Sequence, residues 1–181
     1  MSDNQNICID ILCFNDFINY HYAYNITKRN RMQNILSKMI INNNIQLLFN
    51  IVRGNGNCFI NSLAIWLKKY IDEYNNCNLY EIVKILINIL IPYVQQIDPS
   101  YIYDDNCPNC ELLYYAFEQL FGINICIINI TENDHTIIKQ GDNKDTIFIL
   151  LHSGHFTLID PIRYNTIISN YEIRRIIFDN I

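Results

Sequence analysis

The chain has 181 residues, half of them apolar and 17% charged, enough to bury one core without disulfides or a structural metal and too apolar for a disordered chain. Its net charge of −5 and pI near 5.2 argue against a nucleic-acid ligand, because the only basic cluster is Lys28, Arg29 and Arg31, which reads as a solvated helix start. Seven cysteines, an odd number without a regular framework, point to reduced thiols and a cytoplasmic protein, or one acting in the host cytosol if it comes from a virus or intracellular parasite.

Ser2 to Asn6 is polar and lacks the basic start of a signal peptide. Residues 1–28, with Ile7, Ile9, Ile11 and several aromatics, read as an irregular or short extended lead-in. Met32, Ile35, Leu36, Met39 and Ile40 have helical spacing, so a helix is expected over Arg29 to Ile41, stopping at Asn42-Asn43-Asn44. Gln46 to Val52 fits a short strand or a helical turn. A tight polar loop, Arg53-Gly54-Asn55-Gly56-Asn57, leads into a helix over Cys58 to Ile71, with Phe59, Ser62, Leu63, Trp66 and Leu67 at helical spacing.

Leu79 to Gln96 reads as a long helix, apolar nearly all round and therefore buried. Its apolar stretch, Ile82 to Val94, is interrupted by Lys84, Asn88 and Pro92 and is too short to cross a bilayer, so no membrane partner is expected. Glu111 to Phe121 is a further helix with Gly122 just beyond its end. Strands are predicted over Ile123 to Ile130, His135 to Gln140, Thr146 to Leu151 and His155 to Ile159, with turns at Gly141-Asp142-Asn143 and Ser153-Gly154. Ile173 to Phe178 closes the chain as a helix. Helices first and antiparallel strands later indicate an α+β fold. Ile and Asn make up about a third of the chain, which reflects an AT-rich genome rather than chemistry.

Two residues stand out chemically. Cys58 sits at a helix N-terminus, where the partial positive charge and exposed N–H groups stabilise a thiolate. Gly54 and Gly56 just before it let loop amides converge, as an oxyanion hole requires; the candidate donors are the N–H groups of Gly56, Asn57 and Cys58. His155, at a strand start after a turn, is the candidate base. A lone cysteine in an apolar helix is otherwise core, and a lone histidine near a turn is otherwise surface. His152 reads as structural, and Trp66 and the Tyr114-Tyr115-Phe117 group read as core.

Three segments carry a family resemblance in the same order. Asn55-Gly56-Asn57-Cys58-Phe59 resembles the Asp-Gly-Asn-Cys signature of the OTU (ovarian tumour) cysteine deubiquitinases. Cys110-Glu111-Leu112-Leu113 through Phe121-Gly122-Ile123-Asn124-Ile125 resembles their helix–glycine–buried strand segment, and Ile149-Leu150-Leu151-His152-Ser153-Gly154-His155-Phe156 their closing strand–turn–His-aromatic motif. The resemblance is strongest over residues 50–160. It implies a single OTU-like domain over 1–181, with a C-terminal extension at 161–181. The implied fold is papain-like, a small, mostly antiparallel sheet packed between helices. It also implies a thiol-dependent hydrolase without cofactor, acting through a Cys58 acyl-enzyme on isopeptide bonds at the C-terminus of ubiquitin or of polyubiquitin chains. Two alternatives stay open: an inactive ubiquitin-binding module of the same fold, or a cysteine protease for a ubiquitin-like modifier or a polyprotein.

The departures from the signature concern the residue that orients His155. Asn55 replaces the usual Asp, and Thr157 stands two residues after the histidine. Asn55, close to Cys58 through the loop, is the favoured orienting side chain. Thr157 shares the face of His155 and offers a hydroxyl, whereas Asp160 falls on the opposite face of a regular strand. Cys107-Pro108-Asn109-Cys110 has zinc-knuckle spacing, with Cys77 the only helper nearby, but no second pair completes four ligands, so no metal is expected.

Overall fold

In the computed structural model the described residues are 7–43, 46–54, 56–104, 110–130, 135–139, 146–163 and 166–167. Asn55, Cys107, the Gly141-Asp142-Asn143 turn and the Ile173–Phe178 helix lie outside them. The elements are β1 (Cys8–Cys13), α1 (Phe14–Tyr22), α2 (Ile26–Asn43), β2 (Gln46–Val52), α3 (Cys58–Tyr70), a 3₁₀ turn at Asp72–Tyr74, α4 (Leu79–Ile97), α5 (Cys110–Phe121), β3 (Asn124–Ile130), β4 (His135–Lys139), β5 (Thr146–His152), β6 (His155–Arg163) and β7 (Thr166–Ile167).

The strands form one sheet in the order β1-β2-β6-β5-β3-β4, with β7 on β6. All pairings are antiparallel except β3 with β5. The expectation that strands follow helices is corrected here. β1 and β2 come early and close onto β6, so the sheet joins both halves of the chain. β1 is the short extended segment that the lead-in allowed, whereas the helix α1, also within the lead-in, was not expected. Phe17 and Ile18 of α1 are buried, and Phe17 stacks on Phe49 of β2 at 4.1 Å between ring centroids.

Alternation along the strands divides the core into two layers. Val52, Ile125, Ile127, Ile147, Ile149 and Leu158 face α3, α4 and α5. Phe49, Cys126, Ile128, Phe148, Leu150 and Ile159 face α1 and α2. The central strands are covered on both faces, which is why β3 and β5 read as nearly continuous apolar runs.

The helix buried on all sides is α3, not α4. Every residue from Cys58 to Leu67 is buried between the sheet and the outer helices. In α4 only a stripe of Ile82, Val83, Leu86, Leu90 and Val94 is buried, while Tyr80 and Ile89 are exposed. Asn78 caps α4, accepting from the Glu81 N–H at 2.9 Å while the Glu81 carboxylate accepts from the Asn78 N–H at 2.9 Å. Trp66, Tyr114 and Phe117 are core as expected, but Tyr115 is exposed. Among the described residues no helix is long and apolar enough to cross a membrane.

Candidate active site

Cys58 is delivered by the end of β2. The strand is buried through Val52, and Arg53 and Gly54 then emerge at the surface. Gly56 has φ +86°, a left-handed conformation that side chains rarely adopt, and it turns the chain toward α3. Asn57 is the N-cap residue and its carbonyl accepts the first helical bond, from the Asn61 N–H at 2.8 Å. Cys58 is therefore the first residue of the helix, and it is buried. Its own carbonyl accepts from the Ser62 hydroxyl at 2.8 Å.

The Asn57 side chain makes no capping bond to α3. Its Oδ1 instead accepts from the Tyr103 hydroxyl at 2.5 Å, across from the segment that follows α4.

His155 opens β6 after a two-residue turn. Ser153 and Gly154 both have positive φ, +50° and +76°, the pattern of the tight hairpin whose twist matches its strands. The imidazole lies over Gly54: a Cβ added there would sit 3.8 Å from its Nδ1 and Cε1. The main-chain carbonyl of Val52 also lies near the ring, where it favours the charged form. Burial pushes the His155 pKa below the usual imidazole value, and the Val52 carbonyl, which favours the charged ring, offsets this only in part. His155 is therefore neutral near pH 7.

The two residues meet through their neighbours. Phe156 and Phe59, which follow His155 and Cys58, pack with ring centroids 5.3 Å apart. Both Val52 and Gly54, which flank the imidazole, belong to the short stretch running into Cys58. Cys58 and His155 thus share one end of the α3–β6 contact.

The side chains considered as partners of His155 are placed differently. The buried Thr157 hydroxyl pairs with His152 Nε2 at 3.1 Å. Asp160 is removed from the histidine altogether. It points to the α3 side of the sheet, pairs with Lys69, and accepts from the Tyr70 hydroxyl at 3.0 Å and from Asn50 Nδ2 at 2.8 Å. β6 continues unbroken past this point, so the face alternation holds and Asp160 cannot swing toward His155. His152 is buried, with Phe17 edge-on at 5.5 Å and the His155 ring perpendicular at 5.9 Å.

Among the described residues no three His, Cys, Asp or Glu side chains gather as a metal site would require. Cys110 opens α5 and Cys77 is half-buried after the 3₁₀ turn.

Two participants escaped the sequence reading. A main-chain carbonyl, that of Val52, has no side-chain signature. Tyr103 is one tyrosine in an irregular segment, and only the tertiary fold puts it beside Asn57.

No protein-family model matches the chain, and no curated protein matches it. Solved structures do. The h/ceOTUB1–ubiquitin aldehyde–UBC13~Ub structure superposes with a TM-score of 0.55 over 84% of this chain and 90% of that one, at 10% identity. The ceOTUB1–ubiquitin aldehyde–UBC13~Ub complex gives 0.52 over 88% and 95%, at 12% identity. The Hazara virus OTU bound to ubiquitin covers 65% of this chain and 90% of its own at 17% identity, with a TM-score of 0.42, and adds no weight. At such identities the likeness is one of architecture: this chain has an OTU-like fold.

Proposed function

We propose that the chain is a cysteine deubiquitinase in which Cys58 is the nucleophile and His155 the base. The observation that carries this reading is the seating of a half-buried imidazole on the Val52–Gly54 stretch that runs into Cys58, at the N-terminus of a buried helix. The OTU-like fold supports ubiquitin as the partner, since the solved structures of that fold hold ubiquitin or ubiquitin aldehyde.

In this reading His155 takes the proton from the Cys58 thiol, and the thiolate attacks the carbonyl carbon of ubiquitin's C-terminal glycine. The N–H groups of Gly56, Asn57 and Cys58 hold the oxyanion. When the tetrahedral intermediate collapses, His155 returns its proton to the departing lysine amine and a thioester remains on Cys58. Water, deprotonated by His155, then cleaves the thioester, releasing free ubiquitin and the thiol. The Val52 carbonyl holds one ring nitrogen and fixes the tautomer, the part a carboxylate or amide plays in other triads.

The main-chain acceptor also motivates the competing reading, a ubiquitin-binding module with little turnover, because a carbonyl stabilises the imidazolium less than a carboxylate does. A ubiquitin probe with a C-terminal electrophile separates the two. Covalent capture at Cys58, lost in Cys58→Ala, supports the enzyme. Reversible binding without capture supports the module, and neither binding nor capture overturns ubiquitin as the partner.

A further inference from the structure

Among the described residues three helices begin at an asparagine, Asn25 before α2, Asn57 before α3 and Asn78 before α4, and the side chain of one behaves differently. At α2, Asn25 accepts from the Lys28 N–H at 3.0 Å. At α4, Asn78 accepts from a first-turn N–H, as N-cap asparagines ordinarily do. At α3, Asn57 does not. Its backbone, at φ −92° and ψ 16°, lies outside the extended region that capping residues usually adopt, whereas Asn78 is extended at φ −78° and ψ 158°. Its amide oxygen is held by Tyr103 instead.

Tyr103 comes from a well-anchored segment. The buried Tyr101 donates its N–H to the Asp98 carbonyl at 3.0 Å, and its own carbonyl accepts from Gln95 Nε2 at 3.4 Å. The Tyr103 ring packs against the core formed by α3, α4 and α5. Its hydroxyl is thus presented to Asn57 by a fixed stretch of chain.

An asparagine oxygen carries partial negative charge. Seated as a cap, it would accept from the first-turn amides of α3 and weaken the positive field on which a thiolate at that helix start depends. We propose that Tyr103 is a positioning residue for Cys58: by holding the Asn57 amide oxygen, it keeps the first-turn amides of α3 directed at the reacting thiolate and at the oxyanion. The inference rests on Cys58 being the nucleophile of the reading above. It gives the segment between α4 and α5 a part in the chemistry that its sequence does not announce.

The test uses the full chain with Tyr103→Phe, alone and combined with Asn57→Ala. Alkylation of Cys58 by iodoacetamide is followed from pH 5 to 10 and read at that residue by peptide mass spectrometry, which separates it from the other thiols. Circular dichroism checks folding, and kcat and KM are measured on a ubiquitin C-terminal fluorogenic amide. Tyr103→Phe releases the asparagine oxygen, which caps α3 once the Asn57 backbone relaxes to the extended region, so its alkylation profile moves to higher pH and the rate near pH 7 falls about two- to tenfold, the range of a helix-end charge effect. The value of kcat falls with it while KM holds, because the remote ubiquitin contacts are untouched. In the double variant the competing oxygen is gone and alkylation returns to within about twofold of the wild-type rate, which the loss of a merely structural hydrogen bond would not produce. A Tyr103→Phe profile that overlays the wild type, or a double variant that stays slow, overturns the proposal. Failure of the ubiquitin probe with the alkylation shift intact would sink the deubiquitinase reading and leave the role of Tyr103 standing.

Discussion

Helix α3 and strand β6 pack along one another, and the two ends of that contact are chemical opposites. At one end Phe59 packs on Phe156, beside Cys58 and His155; at the other Lys69 and Tyr70 bond Asp160. Four strand steps cover about 13 Å and ten helix steps about 15 Å, so the two elements run side by side and make both contacts at once. The Asp160 end is saturated. Its carboxylate meets Lys69, Tyr70 and Asn50, and Lys69 also donates to Asn50 Oδ1 at 2.8 Å. A group with that many partners is held, and reactivity is not available to it. At the other end a half-buried imidazole rests on glycine and a main-chain carbonyl beside a helix start. Saturation belongs to stability; a sparse, main-chain setting leaves a nitrogen for chemistry.

The comparison breaks most visibly at Cys58. Cys58→Ala is expected to lower kcat by at least about 10⁴-fold, the scale of removing a covalent nucleophile, while circular dichroism shows the fold retained. Turnover that survives would rule out the mechanism.

Asp160→Asn should give the converse result. It removes the charge facing Lys69, whose side chain is one-third exposed, and should cost about 1–3 kcal/mol in urea unfolding, below the full range for a fully buried pair. Its kcat should stay within about threefold of wild type, ordinary scatter for a surface-remote change. A large loss of kcat with stability intact would mean the two ends are coupled rather than separate.

Asn55→Ala asks which acceptor orients His155. With the Val52 carbonyl in place, kcat should fall less than tenfold, below the contribution of general-base catalysis as a whole. A larger loss would make the asparagine side chain the orienting group. Thr157→Val removes the partner of His152 and should cost about 1 kcal/mol of stability, with kcat/KM little changed.

The smallest effect is in pH. The folded-state pKa of His155 is depressed, so its neutral form stabilises the fold fully above the unfolded value, about 6.5, and this contribution is lost as pH falls through the folded value. Wild type should therefore lose stability relative to His155→Gln on acidification below that point, and kcat/KM should keep its plateau further into acid than an ordinary histidine allows. An acid limb centred above 6.5 would contradict the burial of the ring.

Local order was largely legible because it is written in short-range patterns. The spacing of Phe59, Leu63, Trp66 and Leu67 located α3, and the β-branched runs located β3 and β5. The nine residues of α1 were missed because two helical turns with a few aromatics do not distinguish a helix from an extended segment. α4 was read as fully buried because its composition is apolar; which helix lies innermost depends on layer order, and composition does not encode that. Cys58 and His155 could be nominated by residue type and turn chemistry. Thr157 and Asp160 could not be resolved, since their partners His152 and Lys69 are fixed by the folding of α3 onto β6.

By itself, then, the sequence determined the helix that carries Cys58, the hairpin that carries His155 and the alternation that sends Asp160 to the other face, all consequences of backbone period and turn geometry. Only the tertiary structure decided that β2 lies beside β6, and with it that Val52 and Gly54 face His155. It also decided that Tyr103 reaches Asn57. Those contacts join residues tens of positions apart, through a main-chain carbonyl, a missing side chain and a single hydroxyl. Such groups are indistinguishable from their many copies along the chain until packing brings one of each together.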